Sequence, residues 1–127
     1  MQDPVAFAQA LADATRWNIV RLIFADALCV CELADILQLP QSTLSSHLQV
    51  IRKSGLVVSE RCEKWIYYKI ATAHRPLLTP LFRQFGGLPA ALAKRKTVRL
   101  AQREDCDCPG PQRLPKLARR RSTAKSL

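Results

Sequence analysis

At 127 residues, 48% hydrophobic but only 6% aromatic, the chain has enough material for one domain with a modest, mainly aliphatic core. No apolar run reaches membrane-span length, because Asp26 and Glu32 interrupt the most apolar stretch, and the first residues lack the basic-then-apolar pattern of a signal peptide, so a cytoplasmic protein is expected. The formal charge of +10 is uneven: residues 1–93 hold nine Lys/Arg against seven Asp/Glu, and residues 94–127 hold eleven against three, which fits either a polyanion partner or a solubilising tail.

Taken in chain order, residues 3–14 read as a short helix, with Phe7, Leu11 and Ala14 on one stripe, Asp3 as N-cap and Pro4 at the first helical position. Thr15 is expected to cap a second helix through about residue 27, burying Ile19, Leu22, Ile23 and Phe24. A third helix over 29–37 turns Leu33, Ile36 and Leu37 inward, and Gln38-Leu39-Pro40 ends it, since the residue before proline disfavours helix. The fourth, 41–54, has Leu44, Leu48 and Ile51 on its apolar stripe and Gly55 at its end. The period then changes from 3.6 to 2. Runs 56–61 and 65–71 flank the polar link Cys62-Glu63-Lys64 and read as a β-hairpin. A further helix starts near His74 or Arg75 and carries Leu77, Leu78, Leu81, Phe82 and Phe85. Gly86-Gly87 and Pro89 interrupt it, and helix resumes to about residue 104. Residues 105–127, rich in Pro, Arg and Lys, are expected to be a disordered basic tail.

The fold expected is mainly α with a β-hairpin wing, in the order α-α-α-α-β-β-α: a winged helix-turn-helix. The second helix of such a motif enters the DNA major groove. Here that helix offers Gln41, Ser42, Thr43, Ser45, Ser46, His47 and Gln49, with Arg52 in its last turn. Short polar side chains let a helix approach the groove and bond phosphates or base edges. Arg61, Lys64 and Lys69 on the wing can meet phosphates or a minor groove. Trp65, Tyr67 and Tyr68 are read as packing residues, because at period 2 one strand face must be buried. One such unit offers little contact area. A homodimer reading two half-sites of double-stranded operator DNA is expected, joined through the first helix and the helix from His74 onward. Residues 1–93, with the last helix reaching about 104, would be the DNA-binding and dimerisation domain.

Five cysteines include two Cys-x-Cys pairs, Cys29/Cys31 and Cys106/Cys108, a spacing that points to soft-ion or redox chemistry before cross-linking. The alternative for Cys29 and Cys31 is two buried small hydrophobes. Residues i and i+2 of a regular helix point about 200° apart, so chelation by this pair is expected to require a frayed or unwound helix start. Cys106 and Cys108, in the tail, could chelate without strain or do nothing specific. Cys62, at the wing tip, reads as a bystander.

The stretch 28–33, the helix 41–51 with Ser45-Ser46-His47-Leu48, and Gly55-Leu56-Val57 followed by Trp65-Ile66-Tyr67-Tyr68 resemble the ArsR/SmtB family of metal- and metalloid-responsive repressors over about residues 5–85. The resemblance implies a dimeric winged-helix repressor. Its Cys-Val-Cys element is similar to the arsenite/antimonite-responsive branch and to the cadmium/lead-responsive branch, which implies that Cys29 and Cys31 bind an inducer, As(III) or Sb(III), alternatively Cd(II) or Pb(II). Ala34 stands where the arsenite branch often has a third cysteine, residues 1–28 contain none, and His74 stands almost alone where the zinc branch has several ligands. A third ligand could come from Cys106 or Cys108 if the tail folds back. A thiol redox or persulfide sensor on the same fold is the nearest rival, and a metal-buffering protein the one of another class. No Gly-rich phosphate loop, paired His/carboxylate cluster or Cys–base pair is visible, so neither an enzyme nor a small-molecule substrate is expected.

Overall fold

The computed structural model describes residues 3–62 and 64–105. Helix α1, Pro4–Leu11, starts as expected: the Asp3 carboxylate accepts from the Val5 N–H at 2.9 Å. It stops before Ala14 because Asp13 caps the next helix, accepting from the N–H groups of Thr15 and Arg16. The cap is therefore Asp13, two residues before the expected Thr15. Those N–H bonds, Arg16's first, together with the Arg16 charge, outweigh desolvation and hold its carboxyl below the usual value. Helix α2, Ala14–Ile23, also ends earlier than expected. The chain then enters a short strand, β1, Leu28–Cys29, so Cys29 belongs to the sheet and not to the third helix in which its sequence context places it.

Helix α3 is Val30–Leu37, closed by Gln38 in the left-handed region at φ 59°. Pro40 precedes α4, Gln41–Lys53, and Gly55 takes φ 82° to turn the chain into the hairpin. Strands β2, Val57–Cys62, and β3, Trp65–Ile70, pair antiparallel from Val57↔Ile70 to Cys62↔Trp65. The sheet is not a two-stranded hairpin alone. β1 adds to the other edge of β3, with Leu28↔Tyr68 and Cys29↔Tyr67, giving the order β1-β3-β2. A 3₁₀ turn, Thr72–His74, leads into α5, Arg75–Phe85, which ends at Gly86 with φ 97°. Helix α6, Ala90–Ala101, continues as a 3₁₀ turn, Gln102–Asp105.

The core is aliphatic, as the composition required. Ile19, Leu22, Ile23, Leu33, Ile36, Leu44, Leu48, Ile51, Leu56 and Leu78 are all fully enclosed. Each contributes about 1.5–3 kcal/mol by leaving water. This core seats α4 on α1, α2 and α3, so the polar face of α4 is turned outward by the burial of Leu44, Leu48 and Ile51. On α1 and α5 the apolar supply exceeds what the core takes: Leu77 is 51% and Phe85 67% exposed, and Leu11, Trp17, Leu81 and Phe85 line an open cleft of about 350 Å³. Among the described residues, no helix is long and apolar enough to cross a membrane.

Candidate thiol site and nucleic-acid interface

Cys29 belongs to two elements at once. Its backbone is extended, at φ −91° and ψ 169°, because it pairs with Tyr67 across the sheet, and it is also the N-cap of α3. Cys31 sits in the first turn. The N-cap is not helical, so the 200° divergence of a regular helix does not apply. The two sulfurs lie 2.8 Å apart, one thiol donating to the other. The helix expected over 29–37 starts one residue later, at Val30, which leaves Cys29 outside the helix and lets the two sulfurs converge without unwinding.

Cys29 is buried and Cys31 half-buried; neither is in a disulfide. Three side chains brace the pair. Glu32, fully buried, accepts the Cys29 backbone N–H at 3.1 Å, as a capping-box glutamate does. Arg99 on α6 donates its Nε to Asp35 at 2.6 Å and its Nη2 to the Cys31 sulfur at 3.8 Å. The guanidinium thus flanks the Cys31 sulfur at the N-terminal end of α3. Arg103, only 2% exposed, donates Nε and Nη2 to the Glu32 carboxylate, reaches the Ala27 carbonyl at 2.8 Å, and lies over the Tyr67 ring. The end of α6 is thereby fastened to the sulfur pair, the first helix of the motif and the sheet.

Sequence reasoning missed Glu32, Arg99 and Arg103. The position of Glu32 three residues after Cys29 is capping-box spacing, and a carboxylate among apolar neighbours demands a buried cation. The spacing of Arg99 and Arg103, four apart, puts both on one face of the final helical segment. Cys62, at the end of β2 beside the turn, is buried, packing with Ala27, Cys29 and Tyr67, with Cys31 and Trp65 against them. Among the described residues, no group of three or more His, Cys, Asp or Glu side chains is arranged to hold a metal ion. Cys106 and Cys108 lie outside the described residues.

The second region is the outer face of α4. Gln41, Ser42, Thr43, Ser45, Ser46, Gln49 and Arg52 are all exposed there. His47 departs from that group: it is half-buried against α2, its Nδ1 accepting from Arg16 Nη1 at 3.2 Å, with Asp13 at 3.9 Å. On the wing, Arg61 and Lys64 are exposed, and the Lys64 ammonium lies over Trp65. Lys69 is engaged with Glu60 at 2.8 Å. Tyr67 is fully buried, and Trp65 and Tyr68 half-buried, as packing residues should be.

Residues 13–59 match the family model described as "Bacterial regulatory protein, arsR family". The chain is 40% identical over 68 residues to the arsenic resistance transcriptional regulator ArsR1 of Pseudomonas putida, covering 53% of this chain and 52% of that one. It is also 40% identical over 65 residues to the cadmium resistance transcriptional regulatory protein CadC of Listeria innocua, covering 50% and 55%. The matched segment spans about half the length of these curated relatives. Among solved structures, reduced HlyU from Vibrio cholerae superimposes with a TM-score of 0.59 at 30% identity, over 65% of this chain and 87% of that one.

Proposed function

The chain belongs to the arsR family of bacterial regulatory proteins, and from that premise we propose that it is a DNA-binding transcriptional repressor released from its operator when Cys29 and Cys31 take up trivalent arsenic or antimony. The observation that carries this reading is the pair of sulfurs 2.8 Å apart at the N-cap of α3, the helix that carries α4. Two converged thiols beside a guanidinium are a soft-ion donor set. The residues fit such an ion without rebuilding the helix start.

Release follows from where the pair sits. Cys29 is shared between β1 and α3, and its N–H is held by Glu32, which Arg103 holds in turn. An ion bonded to both sulfurs locks them at the spacing and angle its own bonds demand, each about 2.3 Å from one centre, and that constraint acts on the cap of α3 and on the edge of the sheet bearing the wing. The DNA-reading helix α4 and the wing cations Arg61 and Lys64 then lose the relative pose in which they met one duplex. Gln41, Ser42, Thr43, Ser45, Ser46, Gln49 and Arg52 are the contacts of α4, and His47 orients them through Arg16.

The protein works as a homodimer through α1 and α5, whose exposed Val5, Leu77 and Phe85 are surplus to the core. It acts in the cytoplasm, where its thiols stay reduced. A cadmium- or lead-responsive repressor is the second reading, favoured by the likeness to CadC. A mobility shift on the upstream DNA with As(III), Sb(III), Cd(II), Pb(II), Zn(II) and peroxide separates these. Release by arsenite and antimonite supports the first reading. Release by cadmium and lead alone supports the second, and release by peroxide alone would replace both with a redox sensor.

A further inference from the structure

Antiparallel register fixes which side chains share a face of the sheet. Cys29 on β1 stands opposite Tyr67 on β3, and Cys62 on β2 stands opposite Trp65. Trp65 and Tyr67 are two apart on one strand, so they leave the same face. Cys29, Tyr67, Trp65 and Cys62 therefore lie on one face, and Cys31 packs against the same patch from the first turn of α3. Cys62 is the last residue of β2, yet it is 8% exposed, its side chain turned in toward the thiol pair's own apolar patch.

We propose that Cys62 is the third sulfur of the inducer site, so that trivalent arsenic or antimony is held by Cys29, Cys31 and Cys62 and ties the wing to α3. This rests on the reading that Cys29 and Cys31 hold the inducer. The chemistry balances without an oxidant or reductant. Arsenous acid has three As–OH groups. Each As–O bond breaks as an As–S bond forms, each thiol proton leaves with its hydroxide as water, and arsenic remains trivalent.

The third bond requires motion. Cys29 and Cys62 are on the outer strands of the order β1-β3-β2 and opposite residues two apart on β3, so their backbones are ~12 Å apart. The end of the hairpin must curl toward α3 to close that gap. Only the pair Cys62↔Trp65 lies beyond Arg61↔Ile66, so the curl disturbs the last rungs of the ladder and leaves Val57↔Ile70 in place. Arg61 and Lys64 flank Cys62 and travel with it. Ion capture by the third sulfur thus withdraws the two wing cations from the duplex, in the same act that completes the ion's coordination.

The test is X-ray absorption at the arsenic edge on the full-length, arsenite-loaded protein. Three As–S bonds are expected in the wild type and in C106A/C108A, and two in C62A. Three bonds in C62A, or two in the wild type, would overturn the proposal. Affinities supply a second readout. Phenylarsine oxide offers only two exchangeable positions on arsenic and needs only two sulfurs. C62A should therefore bind arsenite about tenfold or more weakly while keeping phenylarsine oxide within about twofold. An equal loss of both ligands would mean that Cys62 merely supports the pair, and would overturn a ligand role. The underlying reading is tested separately in C29A/C31A: wild-type arsenite affinity there would remove the pair from the site, whatever Cys62 does.

Discussion

Arg103 shows how much one side chain can hold. It lies 2% exposed against a fully buried Glu32, with the Ala27 carbonyl and the Tyr67 ring completing its surroundings. Removing one partner of a buried ion pair strands the other charge, at a cost of about 3–5 kcal/mol. R103M should lower stability to urea by that order, and E32Q/R103M should recover much of it, because a neutral amide leaves no stranded charge. Urea unfolding of both variants checks this, and a single variant as stable as the wild type would contradict it. At the sulfur pair, C29S/C31S should keep operator affinity and lose arsenite-induced release. Persistent release would move the inducer to other thiols. The cysteine pair and the polar residues of α4 were legible from residue type and spacing alone. The convergence of the sulfurs was not, because it depends on Cys29 being a cap in extended backbone, which strand pairing imposes from 38 residues away at Tyr67. Nor was the burial of Cys62, which follows from register and not from its place beside the turn.

At the scale of elements, the helices were legible because each carries a strong apolar stripe and a stop signal: Gln38-Leu39-Pro40 after α3, Gly55 after α4, Gly86 after α5. Boundaries failed where a neighbouring element competed. Asp13 took the cap expected of Thr15, and two residues expected at the end of a loop and the start of a helix became β1. The largest surprise is α6. It was expected as a resumed helix with no stated task, whereas Lys96, Arg99 and Arg103 fasten it to α2, α3 and the loop between α2 and β1. Lys96 donates to the Leu22 carbonyl at 2.8 Å and to Asp26 at 2.6 Å. Burial, and then repulsion from Arg103, nevertheless lower its pKa to about 8 from 10.5. The unfolded chain therefore binds the proton more tightly than the folded one between those values. Stability should rise as pH climbs from about 8 toward 10.5, the penalty being fully present below that window. Chemical unfolding across this range should show the rise in the wild type and a flatter profile in K96M; equal slopes would remove Lys96 from the explanation.

For the whole molecule, the fold was readable from the order of periods, 3.6 then 2 then 3.6, and the family from the resemblance carried by residues 28–33, 41–51, 55–57 and 65–68. Assembly was readable only as a surplus of apolar surface. Phe85 and Leu77 stand exposed on α5 beside the cleft formed with Leu11 and Trp17. If that face joins two copies, F85E/L77E should sediment as a monomer and bind a two-half-site operator at least about tenfold more weakly, since the second recognition helix is no longer tethered. A variant that remains dimeric would place the interface elsewhere.

The central claim is that sulfur and DNA draw on the same stretch of backbone, from Cys29 through α3 to α4 and through the sheet to the wing. Linkage makes it measurable in either direction. The arsenite affinity of the full-length protein, titrated alone and in the presence of saturating operator duplex, should fall by about tenfold or more when DNA is bound, matching the loss of operator affinity caused by arsenite. Identical arsenite affinities with and without operator would contradict the coupling, even if both ligands bound tightly.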